Sequence, residues 1–380
     1  MTLTLTLQGA QILADGHMQP GEIGLAEGKL TAAGHGRSVD LSGYWVLPAC
    51  VDIHGDGFER HLAPRRGAMK DLGQGLISMD AELASNGIGT ATLAQFFSWE
   101  GGMRGPDFAA RFLAAHAKAD LLTETLVQLR FETHLLKEYA AFEELVAAFS
   151  VPYVVFNDHL PHAALAKGKR PPRLTGQALK SGRSPENHLA MLQALHDQRD
   201  EVPAALAALA ARLSARGLRL GTHDDATAQD CDAARALGAN LAEFPETHLA
   251  AEATRAAGGH IILGAPNVVR GGSHSGNVSA VDLIADGLCD ALASDYHYPA
   301  LKQAAFALSD PGVLPFAAAW HLVSGGPASL LGLADRGEIN VGARADLVVL
   351  DPESRRIEAT IVGGRMTHLA GGAAERFVRA

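Results

Sequence analysis

The sequence predicts an α/β protein, a (β/α)8 TIM barrel with a small β domain formed by both chain ends; a doubly wound parallel sheet is the alternative. Three observations predict it. Helix and strand patterns alternate through the middle of the chain, with about eight strands. Both ends read as short strands separated by turns. Histidines and carboxylates stand just after successive strand candidates, where a barrel keeps its chemistry.

The 380 residues, 47% of them apolar, suffice for one large domain with a smaller one appended. The boundaries expected are 1–47 with 338–380 for the composite β domain and 48–337 for the barrel. No apolar run reaches membrane-spanning length. The alternation from Met1 to Leu7 reads as a strand and lacks the basic start and apolar core of a leader. Cys50, Cys231 and Cys289 are too few and scattered for a disulfide framework and fit a reducing cytoplasm. A net charge of −10 argues against general nucleic-acid binding and leaves an anionic small molecule open as substrate. The 17 histidines point to a metal enzyme.

In chain order, Leu3–Leu7, Gly21–Leu25 and Tyr44–Leu47 read as end-domain strands. The apolar run Trp45–Val51 leads into Asp52-Ile53-His54-Gly55-Asp56, a buried strand with His54 and Asp56 on one face of its C-terminal end. A helix over Gly75–Asn86 and a strand over Gly89–Leu93 follow. Helix Phe108–Asp120 precedes strand Thr125–Phe131, and helix Ala140–Phe149 precedes strand Tyr153–Phe156. Pro203–Arg216 is an Ala/Leu-rich outer helix closed by Gly217. Leu218–Thr222 is a strand and Thr227–Leu237 a helix, which Asp224 or Asp225 is expected to cap. Leu241–Phe244, His260–Leu263 and Ala291–Ser294 complete the middle; Ala345–Leu350 and Ile357–Gly363 return to the end domain. Polar residues follow these strands in series: His54 and Asp56, Glu132 and His134, Asp158 and His159, His223 with Asp224 and Asp225, then Asp295.

This series resembles the amidohydrolase superfamily of metal-dependent hydrolases, as does Gly342-Ala343-Arg344-Ala345-Asp346-Leu347-Val348-Val349. The stretch from Gly264 to Asn277, with Thr222–Thr227, Ala242–Pro245 and Ser294–Tyr296, is similar to the superfamily's alpha-D-ribose 1-methylphosphonate 5-triphosphate diphosphatases, enzymes of the carbon–phosphorus lyase pathway. The resemblance implies a distorted barrel with a β-sandwich from both chain ends. It implies divalent ions, two in number: His54, Asp56 and Asp295 hold one, His159 and His223 the other, and Glu132 bridges them. His134, on the same strand face as Glu132, is a rival ligand. Mixed imidazole and carboxylate ligands suit Zn, Mn or Fe. Asp295 is the expected catalytic base. The implied reaction is release of pyrophosphate from the triphosphate; a nucleoside triphosphate is a variant substrate. The superfamily often forms homo-oligomers.

A polyphosphate substrate needs cations. Lys167, Lys169, Arg170, Arg173, Lys180 and Arg183 lie in a segment without Asp or Glu, read as a long loop at the active face or a solvated surface. Arg60, Arg65 and Arg66 follow the first strand, and Arg270 with Gly271, Gly272, Ser273, His274 and Ser275 has the composition of an anion nest. Asp158-His159 runs into Leu160–Arg170 where the diphosphatases continue with a Pro-Gly-Gln segment. That departure leaves a second reading, hydrolysis of a C–N bond in a cyclic amide, amidine or N-acyl compound, and a third, a member that only binds its ligand.

Overall fold

The apolar run after Tyr44 is two strands, not one. The computed structural model describes residues 2–34, 36–63, 71–272 and 277–380. In it the run divides at Ala49, whose N–H donates to Asp346 O (3.0 Å), whereas the next N–H, of Cys50, donates to Gly87 O (2.8 Å). The chain therefore changes sheets between Ala49 and Cys50.

The first sheet uses both ends of the chain. Its strands are β1 (Leu5–Ala14), β2 (His17–Ala26), β3 (Lys29–Thr31), β4 (Arg37–Asp40) and β5 (Trp45–Pro48). The barrel strands are β6 (Cys50–Gly55), β7 (Ile88–Phe97), β8 (Glu124–Glu132), β9 (Tyr153–Asn157), β10 (Arg219–His223), β11 (Leu241–Glu243), β12 (His260–Gly264) and β13 (Ala291–Ala293). The first sheet resumes with β14 (Leu347–Asp351), β15 (Arg356–Val362) and β16 (Arg365–Leu369). Its order is β16-β15-β14-β5-β1-β2-β3, with β4 on β1, and most of its pairs are antiparallel. Leu5, Leu7, Leu25, Val39, Val46, Leu347, Val349 and Ile361 enclose its core.

The second sheet runs β6 to β13 in sequence order, and the pairs of known register are parallel. It closes through a bridge between Gly55 and Asp295. The chain is therefore a distorted (β/α)8 barrel with a β domain from both ends. The distortion lies at the closing seam, where residues of the chain's return are inserted: Val51 N–H donates to Val323 O (2.9 Å) and Leu292 N–H to Leu322 O (2.7 Å).

The chain divides into two compact units. One comprises Met1–Leu93, Ala119–Leu126 and Ile262–Ala380, and the other Ala94–Lys118 and Val127–Ile261. In the second unit, helix Val202–Ala215 buries Leu206, Leu209, Ala210 and Leu213, one face at helical spacing. Among the described residues no helix is long and apolar enough to cross a membrane.

Two expectations are corrected. The basic stretch after Asp158 is not an extended loop: it contains helices His162–Leu165 and Leu174–Ser181. Leu160, Leu165 and Leu174 turn inward and pack with Trp99 and Leu192, while Leu179 stays exposed. Helix Ala228–Ala236 is capped by neither Asp224 nor Asp225. Thr227 caps it, in a capping box with Asp230, so both aspartates are left to other partners.

Candidate active site

In the first unit the main chain holds the end of β6 to Asp295, the second residue after β13. Asp295 N–H donates to His54 O (3.0 Å) and Asp56 N–H to Asp295 O (2.8 Å). His54 is fully buried. Beneath it, buried Asp52 accepts from the Ser294 N–H (2.9 Å) and hydroxyl (2.5 Å). Burial pushes the Asp52 carboxyl above the ordinary aspartate range despite these bonds. Gly55 is required between the two candidate ligands, because a Cβ there would lie 2.6 Å from Asp52 Oδ2 and 2.9 Å from Ser294 Oγ.

In the second unit, Glu132 ends β8 with no exposed surface. Its carboxylate accepts from the His159 N–H (3.1 Å), from Trp99 Nε1–H (3.0 Å) and from the His159 ring. Burial pushes the Glu132 carboxyl up, but these bonds and the His159 charge prevail, and it titrates below the ordinary glutamate range. Burial pushes His159 down, and the Glu132 carboxylate reverses this, raising it. His223 ends β10 with Nδ1 3.0 Å from Asp224 Oδ2. Its Nε2 accepts from Arg130 Nη2 at 2.9 Å, since a guanidinium only donates. Arg130 is 5% exposed, and its guanidinium stacks on Phe96 at 4.0 Å from the ring centroid.

The donor set suits a divalent ion, with His223 offering a ring nitrogen in exchange for its bond to Arg130. One ligand atom each of His159, His223 and Asp224 lies within 4.8 Å of the others. Asn157, at the end of β9, is 2% exposed, and its side-chain oxygen and nitrogen have no hydrogen-bond partner among the described residues. Buried orphan polar atoms are costly without water or an ion. Three non-glycine residues at strand ends, Asp224, Phe244 and Asp295, have left-handed backbones with φ of 62°, 56° and 54°. Such strain concentrates at functional sites.

Comparison with known proteins gives these features a family. The model of the Amidohydrolase family matches residues 282–369. The alpha-D-ribose 1-methylphosphonate 5-triphosphate diphosphatase of Escherichia coli (strain K12) is 31% identical over 374 residues, covering 93% of this chain and 97% of that one. The chain belongs to the amidohydrolase superfamily. It is a metal-dependent hydrolase, as that membership and the diphosphatase relative indicate. Solved structures share the fold. A D-aminoacylase has TM-score 0.63 at 14% identity, with 98% of each chain covered. The beta-aspartyl dipeptidase of Fervidobacterium islandicum AW-1 has TM-score 0.59 at 13% identity, covering 97% of this chain and 98% of that one.

Not every residue expected to bind substrate is free to do so. Arg60 donates to Tyr296 O (2.9 Å) and forms an ion pair with Glu82, which also engages His61. Lys167 and Lys169 are exposed beside the short helix His162–Leu165. Arg183 is held by Trp99 O at 2.7 Å. Arg270 ends a six-residue helix, Ala265–Arg270, which Gly271 closes in a left-handed conformation. Arg65, Arg66, Ser273, His274 and Ser275 lie outside the described residues. His134 lies beside Asp158, 3.4 Å from Nδ1 to Oδ1.

Sequence reading gives no role here to Arg130, Glu243 and Trp99, and takes Asp224 or Asp225 as the cap of the next helix. Arg130 shares a strand face with Glu132 two positions on, and Glu243 is the last residue of β11. The rule used for the other strand ends would have found both. Buried Glu243 accepts from Gln128 Nε2 (2.6 Å) and Tyr153 OH (2.7 Å). Trp99→Phe removes one donor from a buried carboxylate and is expected to cost about 1.5–3 kcal/mol. A urea midpoint equal to that of the unsubstituted protein would show that the Trp99 N–H does not support Glu132.

Proposed function

We propose that this protein releases pyrophosphate from a ribose 1-methylphosphonate 5-triphosphate or a close analogue. The observation that carries the reading is a buried guanidinium, Arg130, next to the imidazole–carboxylate set of His159, His223 and Glu132. It occurs in a chain 31% identical to a diphosphatase that acts on that triphosphate.

On this reading His54, Asp56 and Asp295 would hold one divalent ion and His159 and His223 a second, with Glu132 shared between them. Asp224 joins them as a candidate ligand. Zinc is the first choice, with manganese and iron as alternatives. Divalent ions, when bound, supply the Lewis acidity that makes hydroxide available near neutral pH. The residues of the chain do the rest. Asp295 orients the attacking water and accepts its proton as oxygen bonds to the α-phosphorus. The bond from that phosphorus to the pyrophosphate oxygen breaks, and Asp295 returns the proton to the leaving group. Arg130 faces the charge that builds on the phosphoryl oxygens. Lys167, Lys169 and Arg270 meet the outer phosphates, with Arg65, Ser273 and His274 as further contacts. The setting is cytoplasmic, and the substrate is a small anion.

Hydrolysis of a C–N bond is the second reading. The pairing of Arg60 with Glu82 favours it, because a cation expected for a polyphosphate is already neutralised. Metal-reconstituted protein should be offered the phosphonate triphosphate, ATP, and a panel of N-acyl and cyclic amides, with pyrophosphate and amine release followed together. Pyrophosphate release from the phosphonate triphosphate in preference to ATP is the expected result. Amine release without pyrophosphate would replace the first reading by the second.

A further inference from the structure

Next to His159 the chain builds a second group of metal-capable side chains. His134, in the turn after β8, is 4% exposed, and His196, in the last turn of helix Pro185–Asp197, is 5% exposed. Asp158 and His162 join them. His162 Nε2 lies 2.9 Å from Asp158 Oδ2, and His162 Nδ1 lies 2.7 Å from His196 Nδ1. His134 Nδ1 is 3.4 Å from Asp158 Oδ1, and the His134 and His162 ring centroids are 4.8 Å apart. One ligand atom each of His134, Asp158 and His162 lies within 4.8 Å of the others.

We propose that this group is a further divalent-metal site. It takes zinc, or an ion of similar softness, through His134 Nδ1, one Asp158 oxygen and His162 Nε2. Three features carry the assignment. Two imidazoles and a carboxylate are a ligand set that zinc prefers. Neighbouring ligands on a tetrahedral zinc with bonds of about 2.0–2.1 Å stand roughly 3.3 Å apart, close to the His134–Asp158 separation. A metal-bound histidine fixes its ring by donating its other N–H to an acceptor. His162 Nδ1–H has such an acceptor in His196 Nδ1, a nearly buried partner. Three protein ligands leave a fourth position open. An ion here joins the turn after β8, the end of β9 and helix His162–Leu165, and so fixes the start of the basic stretch. The assignment does not depend on which substrate the enzyme hydrolyses.

Full-length protein, stripped by chelation and dialysed, should be titrated with zinc against a chromophoric competitor, with bound metal counted by mass spectrometry. His162→Ala removes a ligand whose side chain is 32% exposed. It is expected to bind one tight equivalent fewer than the unsubstituted protein and to show a smaller zinc-induced rise in Tm. His196→Gln keeps all three ligands and is expected to weaken that same equivalent by about 10–100-fold; it carries the test if His162→Ala does not fold. Unchanged stoichiometry and affinity in the variant that folds, or zinc held at this group only at millimolar concentration, overturns the proposal. Because the readout is a difference between variant and parent, it stands apart from the substrate assay.

Discussion

Asp295→Asn is expected to lower kcat by about 10²–10⁴-fold, the usual contribution of a general base, while fold and bound metal persist. The amide has the shape of the carboxylate and keeps an oxygen for a cation, but it cannot take a proton from water. The substitution isolates chemistry from structure because of the local backbone. Asp295 has φ of 54°, a left-handed conformation that Asn tolerates better than other residues with a Cβ. Its main-chain bonds to His54 O and from Asp56 N–H do not involve the side chain. Asp295→Ala loses the polar side chain that favours this backbone and would mix destabilisation with lost chemistry. Turnover of Asp295→Asn, read beside its circular dichroism and metal content, decides the matter. An unchanged kcat would remove Asp295 as the base.

The fold was legible because barrels announce themselves twice. The alternation of helix and strand periods gave the element order, and a residue such as Glu132 at a strand's C-terminal end gave the direction of the site. What sequence reading missed has physical causes. Trp45–Val51 is uniformly apolar on both sides of the sheet change, so periodicity alone does not expose the break at Ala49. Residues 160–184 look like a loop because Gly and Pro punctuate a basic stretch without Asp or Glu, yet Leu165 and Leu174 suffice to seat two short helices against Trp99. Asp224 or Asp225 is expected to cap the following helix because a cap is the usual use of Asp before one. Thr227 with Asp230 satisfies that helix end instead, and the Asp224 side chain is left beside His223. The Arg130–His223 bond was invisible because it joins side chains 93 positions apart.

Asp52→Ala is expected to cost roughly 2–6 kcal/mol, at about 1–3 kcal/mol for each of two buried donors left without an acceptor. Those donors are the N–H and hydroxyl of Ser294, and neither Asp52 nor Ser294 has exposed surface. Against a total of about 5–15 kcal/mol for a typical domain, this is a large share. The position makes the loss more than local. β13 is only three residues long, and lower on the seam the bonds of β6 and β13 go to Leu322 and Val323. The Asp52 carboxylate is therefore a side-chain link from β6 to the segment that presents Asp295. Urea denaturation should show a lower midpoint at an unchanged slope, since the surface exposed on unfolding stays the same. The double variant with Ser294→Ala removes the orphaned hydroxyl and should recover part of the loss, while the Ser294 N–H stays unsatisfied. A midpoint for Asp52→Ala equal to that of the parent would mean that Ser294 finds other acceptors and that main-chain bonds alone close the barrel.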